Sequence, residues 1–347
     1  MDRDAEVVVV GGGIAGLAAA HALARQGRDI VVIERFGLRH ARGSSHGATR
    51  IFRLAYPEPG WVRFAQEALV GWRDLEAESG VELVSLVGLV ELVRDLSESS
   101  QQALAYCGVE HRVLDAVEAE SAFQLRVPDG FAALLQPDAG FIYAERALAA
   151  LAAGIPVREE VQVLAIEQRD DTVRLDTSDG SVEAAAVVVA AGAWARPLLE
   201  AAAIALDVEP TRETVAYFEL ATTQTPPAVA EFQTDARRHA FYAVHDPEHG
   251  LKAGLNGSGR TTDPDREEGP DEAIVEQIAG WVAARFPGSA AEPVHSETCL
   301  YTNTADEDFV LARHGRVVVG SACSGHGFKF APVVGRRLAR LAVDALA

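Results

Sequence analysis

Apolar residues cluster along the chain in two rhythms, and the switches between them outline its elements. Residues 6–10 form a short apolar run that reads as a strand, ending at a block of glycines. Residues 17–25 read as an alanine-rich helix, and residues 29–33 as a second buried strand that ends in Glu34. In residues 62–79 the apolar positions Val62, Ala65, Leu69, Trp72 and Leu75 have helical spacing. Residues 83–93 then read as a strand, and Gly140-Phe141-Ile142-Tyr143 as the opening of a short helix. Val187-Val188-Val189 belongs to another buried strand, running into Gly192. Residues 211–220 and 238–244 are expected in a second sheet, with a turn at Thr225-Pro226-Pro227. An acidic loop, 263–270, precedes an amphipathic helix over 271–286 that stops at Pro287-Gly288. Residues 317–320 form a last strand into a glycine-rich turn, followed by a basic helix from Val333.

The first strand, helix and second strand hold a specific chemical pattern. Gly11, Gly13 and Gly16 have G-x-G-x-x-G spacing between strand and helix. Gly11 suits the tight turn, Gly13 the close approach of a pyrophosphate, and Gly16 the packing of helix on strand. The helix start offers unpaired N–H groups to phosphate. Glu34 is placed to accept ribose hydroxyls, which favours the adenosine of FAD or NAD over NADP. Gly11, Gly13, Ile14, Ala15, Gly16, Glu34 and Arg35 are the candidate nucleotide contacts, joined later in the chain by Gly192.

Length and charge narrow the class. With 347 residues the chain exceeds one ordinary core, so two lobes are expected. The predicted class is α/β with an α+β substrate lobe: a Rossmann-type domain from residues 1–80, 141–205 and 300–347, and a sheet-based domain from 81–140 and 206–299. A formal net charge of -20 argues against nucleic acid and anionic lipid as partners. No apolar run reaches membrane-span length, and the acidic start lacks the basic region of a signal peptide. Cys107, Cys299 and Cys323 form no CxxC pair, which fits a reducing, cytoplasmic setting. No metal site is expected, because Pro247 interrupts the spacing between His245 and His249. Lys252 and Lys329 are the only lysines among 31 basic Lys and Arg residues. An ammonium is a compact point charge, whereas a guanidinium is a rigid fork, so both lysines are candidates to face a ligand.

Three further motifs complete the pattern: Gly43-Ser44-Ser45-His46-Gly47-Ala48-Thr49-Arg50-Ile51-Phe52-Arg53, Cys299-Leu300-Tyr301-Thr302-Asn303-Thr304, and Ser324-Gly325-His326-Gly327-Phe328-Lys329-Phe330. Together with the nucleotide fingerprint, from Val7 to about Leu338, these resemble the monomeric sarcosine oxidase and N-methyltryptophan oxidase family. The resemblance implies FAD, tethered through its 8α-methyl group to Cys299, with Cys323 as the alternative. It implies that Arg53 and Lys329 hold a substrate carboxylate, and that Tyr242 and Tyr301 wall the substrate. It places Ser45, His46, Thr49 and Arg50 at the flavin, with Gly325, His326, Gly327, Phe328 and Lys329 lining the same cofactor. Lys252 matches the family's oxygen-activating lysine, and a fixed cation beside the ring stabilises superoxide. Lys252, Arg50 and His46 are thus the catalytic candidates.

Two departures bear on the substrate. Ala48 stands where the family often has an acid, and Asn256 where sarcosine oxidases have a histidine. The expected reaction is oxidation of a secondary amino acid, N-methylated or cyclic, by a monomer using O2 and releasing hydrogen peroxide and an imine. Alternatives are a biosynthetic desaturase that makes a cyclic imine or an aromatised ring, and a flavin subunit that passes electrons to a protein partner.

Overall fold

The computed structural model describes residues 4–96, 100–221, 225–232 and 240–347. Its central strand, Ala5–Val10, lies parallel between Ile30–Ile33 and Gly180–Val189. Val317–Ser321 pairs in parallel alongside the last residues of Gly180–Val189, with Val187 opposite Val317. The hairpin Val163–Gln168 and Val173–Thr177 extends this sheet on one side, and Val157–Arg158 closes the other. Val7, Val8, Val9, Val187 and Val188 are fully buried because both faces of the sheet are covered. Each such side chain contributes about 1.5–3 kcal/mol relative to exposure. One face packs against helices Ile14–Ala24 and Ala331–Asp344, whose Ala18, Ala19 and Ala20 let the helices approach closely.

The second lobe is a nine-stranded sheet. Its site-bearing strands are Glu209–Phe218, Ala228–Phe232, Ala240–Asp246, Gly250–Asn256 and His295–Asn303. Helix Glu272–Arg285 packs on it, starting at Asp271, whose carboxylate accepts the Ala273 N–H at 3.1 Å. Glu231 is buried beneath that helix, where it accepts from Trp281 Nε1 at 2.7 Å and pairs with Arg285 Nε at 2.6 Å. A small third sheet, Thr49–Phe52, Gly140–Tyr143 and Val84–Ser85, joins the lobes. Among the described residues no helix is long and apolar enough to cross a membrane. The fold is therefore α/β, a Rossmann-type lobe with a sheet-based second lobe.

Several elements differ from the sequence reading. Gly140–Tyr143 is a strand paired with Thr49–Phe52, and the helix begins only at Ala144. Four apolar residues cannot signal helix or strand on their own, and tertiary pairing decides. Residues 83–93 are not one strand. Val84–Ser85 and Leu89–Val93 belong to different sheets, separated at Gly88, whose φ is 86°. The strand expected over 238–244 runs Ala240–Asp246, and residues 238–239 lie outside the described residues. His295–Asn303 belongs wholly to the second sheet, so one strand runs across position 299/300.

Candidate active site

A single continuous cavity of about 1180 Å³ runs from the first glycine turn to the face of the second sheet. At one end, Gly11 has φ 105°, and a Cβ there would sit 2.5 Å from the Ala190 carbonyl oxygen. A Cβ on Gly16 would lie 1.9 Å from the Gly11 carbonyl oxygen, so the helix can reach the strand only as glycine. At the helix start Ile14 N–H donates to Ser45 Oγ at 3.1 Å. Ala15 also lines this part of the cavity. Glu34 is buried and accepts Gly12 N–H at 2.6 Å and Phe36 N–H at 2.8 Å. Those two bonds leave lone pairs on a carboxylate that has about four acceptor sites, so ribose hydroxyls still have partners.

One expected nucleotide contact is engaged elsewhere. Arg35 lines the cavity, but its guanidinium pairs with Asp265 of the second lobe at 2.8 Å. Trp194 Nε1 donates to the same carboxylate at 2.8 Å, just after Gly192 turns the chain with φ 52°. Arg35, Trp194 and Asp265 thus latch the two lobes together at the rim.

The loop 43–49 lies between the lobes. Arg50 donates to the Ser44 carbonyl at 2.9 Å, to the Thr49 carbonyl at 2.8 Å, and to the His46 carbonyl. Its fork therefore fixes the loop while its charge remains in the site. Thr49 is buried and donates to the His245 carbonyl at 2.8 Å. His46 Nε2 is buried with no hydrogen-bond partner among the described residues. Burial, then the Arg50 charge, push the His46 imidazolium down to about 4, so the ring is neutral at pH 7.

On the second sheet the period of two determines what faces the cavity. Lys252 lies opposite Tyr217, and Tyr217 opposite His295, on three adjacent strands. Glu297, Cys299 and Tyr301 follow His295 at alternate positions, so they share that face. Lys252 is 5% exposed, and burial, then Arg50, push its ammonium down to about 8. Glu297 Oε1 lies 3.5 Å from Lys252 Nζ, and Tyr217 donates its hydroxyl to the same carboxylate. Glu297 and Tyr217 were missed in the sequence, where the Glu297-x-Cys299-x-Tyr301 alternation was the available signal.

Cys299 and Cys323 both reach the cavity as free thiols. Burial pushes the Cys299 thiol up to about 11. Cys323 Sγ already accepts Thr302 N–H at 3.3 Å. Tyr242 hydrogen-bonds to Tyr301, and burial raises both phenols, so both are neutral. Gly325, with φ 72°, packs against Tyr301 and Asn256; a Cβ there would lie 2.5 Å from the Tyr301 ring.

The far end of the cavity holds two cations. Arg53 stacks over Tyr56 at 4.5 Å and over Phe232 at 5.6 Å. Lys329, on the turn Phe328–Phe330, is 5% exposed and donates to the His326 carbonyl at 2.8 Å. Trp72 Nε1 holds the Lys329 carbonyl at 2.7 Å, and the Phe328 ring lies under the Arg50 guanidinium at 5.5 Å. Burial, then the Arg53 charge, hold Lys329 well below the ordinary lysine range. An entering carboxylate would favour the protonated ammonium. His326 is set among Trp61, Phe309 and Phe330, and its Nε2 pairs with the Glu307 carbonyl at 3.0 Å. Gly327 opens the turn that brings Lys329 inward. Among the described residues no group of three or more His, Cys, Asp or Glu residues could hold a metal.

The cavity fits a flavin dinucleotide: a phosphate-ready helix start, an acid for ribose, and a neutral orphan imidazole midway. Comparison with known proteins agrees. The FAD dependent oxidoreductase family matches residues 6–341. The chain is 33% identical to peroxisomal sarcosine oxidase of Homo sapiens, covering 97% of this chain and 92% of that protein. It is 31% identical to monomeric sarcosine oxidase of Bacillus sp. (strain NS-129), covering 99% and 94%. The open form of NikD, an unusual amino acid oxidase essential for nikkomycin biosynthesis, superposes with a TM-score of 0.88 at 29% identity, covering 99% of this chain and 95% of that one. The chain belongs to the FAD-dependent oxidoreductase family, among the amine oxidases related to sarcosine oxidase.

Proposed function

We propose that the protein oxidises a secondary amino acid, N-methylated or cyclic, and returns the electrons to O2. The observation that supports this most is the pairing of half-buried Arg53 with buried Lys329, both lining the same cavity as Lys252 and Cys299. One fork and one ammonium suit a single small carboxylate, since the fork binds it bidentately. Tyr242 and Tyr301, both neutral, wall the space beside that anchor and exclude water. FAD, when bound, supplies the two-electron acceptor that takes hydride from the carbon next to nitrogen and is reoxidised by O2 to give hydrogen peroxide. In this reading the amine reacts in its neutral form, with no proton-abstracting side chain assigned at the anchor. Lys252 holds a positive charge where oxygen is reduced. Asn256, in the position next to the amine, offers an amide in place of a titrating ring.

We also infer that Cys299 tethers the FAD, as its place in the Cys299-Leu300-Tyr301-Thr302 motif shared with the family implies, with Cys323 as the alternative. Residues 1–80, 141–205 and 300–347 hold the cofactor in this reading, and 81–140 and 206–299 the substrate. The enzyme is read as a cytoplasmic monomer, consistent with three free cysteines.

The test is a peroxide assay across N-methyl and cyclic amino acids, each paired with its decarboxylated amine. Turnover of the acids and none of the plain amines supports the reading; equal turnover of both rejects the carboxylate anchor. A biosynthetic role is favoured by the likeness to NikD. Peroxide yield separates it: two per substrate consumed for aromatisation, one for simple oxidation.

A further inference from the structure

Glu297 has no part in binding the anchor or the nucleotide, yet it is the carboxylate nearest the cation at the centre of the cavity. Its Oε1 is 3.5 Å from Lys252 Nζ, and its Oε2 is 3.8 Å from His46 Nδ1. Tyr217 donates its hydroxyl to the same Oε1, which holds the carboxylate in place. Sheet register builds this arrangement. Tyr217 sits directly opposite Lys252 on one side and His295 on the other, and Glu297 follows two residues later on the same face.

The charges around Lys252 make the consequence specific. From the loop and small sheet come His46 and Arg50; from the second sheet come Tyr217, Asp246, Glu297 and Cys299. His46 is neutral at pH 7, Tyr217 is raised above its usual range by burial, and Cys299 is raised to about 11. Asp246 is buried and committed to His249 and to the Glu248 and His249 amides, at 2.9–3.1 Å. Two fixed positive groups, Arg50 and Lys252, therefore share one close carboxylate. Burial favours loss of the Lys252 proton, Arg50 adds to that, and Glu297 opposes both. Burial also pushes Glu297 up, but Lys252 and the Tyr217 hydroxyl outweigh it and keep the carboxylate ionised.

We propose that Glu297 is a positioning residue that keeps Lys252 protonated and aimed into the cavity, with Tyr217 as its brace. The inference about the pair stands on this geometry; its link to oxygen rests on the function proposed above.

The scarcity of lysine makes the pair measurable. Protein labelled with ¹³C at lysine Cε gives two side-chain signals, Lys252 and Lys329, assigned with Lys329→Met. In the FAD-loaded enzyme the Lys252 signal is expected to titrate near 8. In Glu297→Gln its midpoint should fall by about 1–3 units, because an opposite charge at this range is lost. Glu297→Asp keeps the charge and should recover most of the shift. This variant also serves if the glutamine variant does not fold. An unmoved Lys252 midpoint in Glu297→Gln overturns the proposal, as does an equal fall in Glu297→Asp and Glu297→Gln. Reoxidation of the reduced flavin is followed in parallel. Its decline with rising pH should begin at lower pH in Glu297→Gln, by the same interval as the Lys252 signal. A shifted signal with unaltered reoxidation supports the pair and removes the oxygen role given to Lys252.

Discussion

Lys252 and Lys329 illustrate how one residue type acquires two roles from its surroundings. Both are 5% exposed, and burial lowers both, but Lys252 has a carboxylate neighbour and Lys329 has a guanidinium. Lys252 retains its proton up to about 8, whereas burial and the Arg53 charge lower Lys329 without an opposing carboxylate among the causes. The sign of the pH effect follows. A lysine with a lowered value is charged below it and neutral above it, so oxygen-dependent turnover should fall as pH rises through about 8. Lys252→Met should be slow and flat over the same range, by stopped-flow reoxidation. At the anchor, a charge-assisted contact is worth about 1.5–3 kcal/mol, so Arg53→Ala or Lys329→Met should lower kcat/KM for a carboxylated substrate roughly 10- to 100-fold. Activity on its decarboxylated analogue, where measurable, should change little. At Cys299, acid precipitation of the wild-type protein should leave yellow flavin in the pellet, and Cys299→Ala should release it to the supernatant. Release from the wild type would mean that the thiol is structural.

At the scale of elements, the glycine turn and the second-sheet strands do different work. The turn is a steric device: Gly16→Ala would force a Cβ to within 1.9 Å of the Gly11 carbonyl oxygen. Helix Ile14–Ala24 would have to lift, and flavin-to-protein absorbance after purification should drop to a small fraction of the wild-type ratio. Full loading of Gly16→Ala would show that the cofactor does not depend on this close approach. That turn was legible in the sequence because its requirement is local: strand, glycines, helix and Glu34 fall within one short stretch. The small sheet was not legible. Gly140–Tyr143 is a strand only because Thr49–Phe52 lies beside it, nearly a hundred positions earlier, and no local periodicity records that pairing. The same limit hid Glu297 and Tyr217. Their meeting with Lys252 depends on the register of three strands that are separate in sequence. Arg50 was recognised as a site residue, but its threefold grip on backbone carbonyls, which makes it a brace for the loop, emerges only in the fold.

The whole molecule is organised so that each sheet contributes half of one reaction space. The parallel sheet offers the glycine turn and Glu34; the larger sheet offers Lys252, Cys299, Tyr242 and Tyr301; Arg53, just after strand Thr49–Phe52, and Lys329, on the turn Phe328–Phe330, line the far end. Asp265, bound by both Arg35 and Trp194, holds the lobes at the rim on the nucleotide side. The glycine turn at one end and the Arg53 and Lys329 cations at the other lie in contiguous motifs, so the residues themselves were readable from the sequence. Their separation by one dinucleotide-sized cavity was not readable, since it is set by how the two sheets face each other. The proposed oxidation of a secondary amino acid is tested most directly by anaerobic reduction of the flavin-loaded enzyme with N-methyl and cyclic amino acids, followed by admission of O2 and measurement of hydrogen peroxide. The flavin should bleach with at least one carboxylated secondary amine and with none of the decarboxylated counterparts, and O2 should restore the colour with stoichiometric peroxide. Bleaching by amines that lack a carboxylate, or no bleaching by any secondary amino acid, would contradict the proposed substrate class.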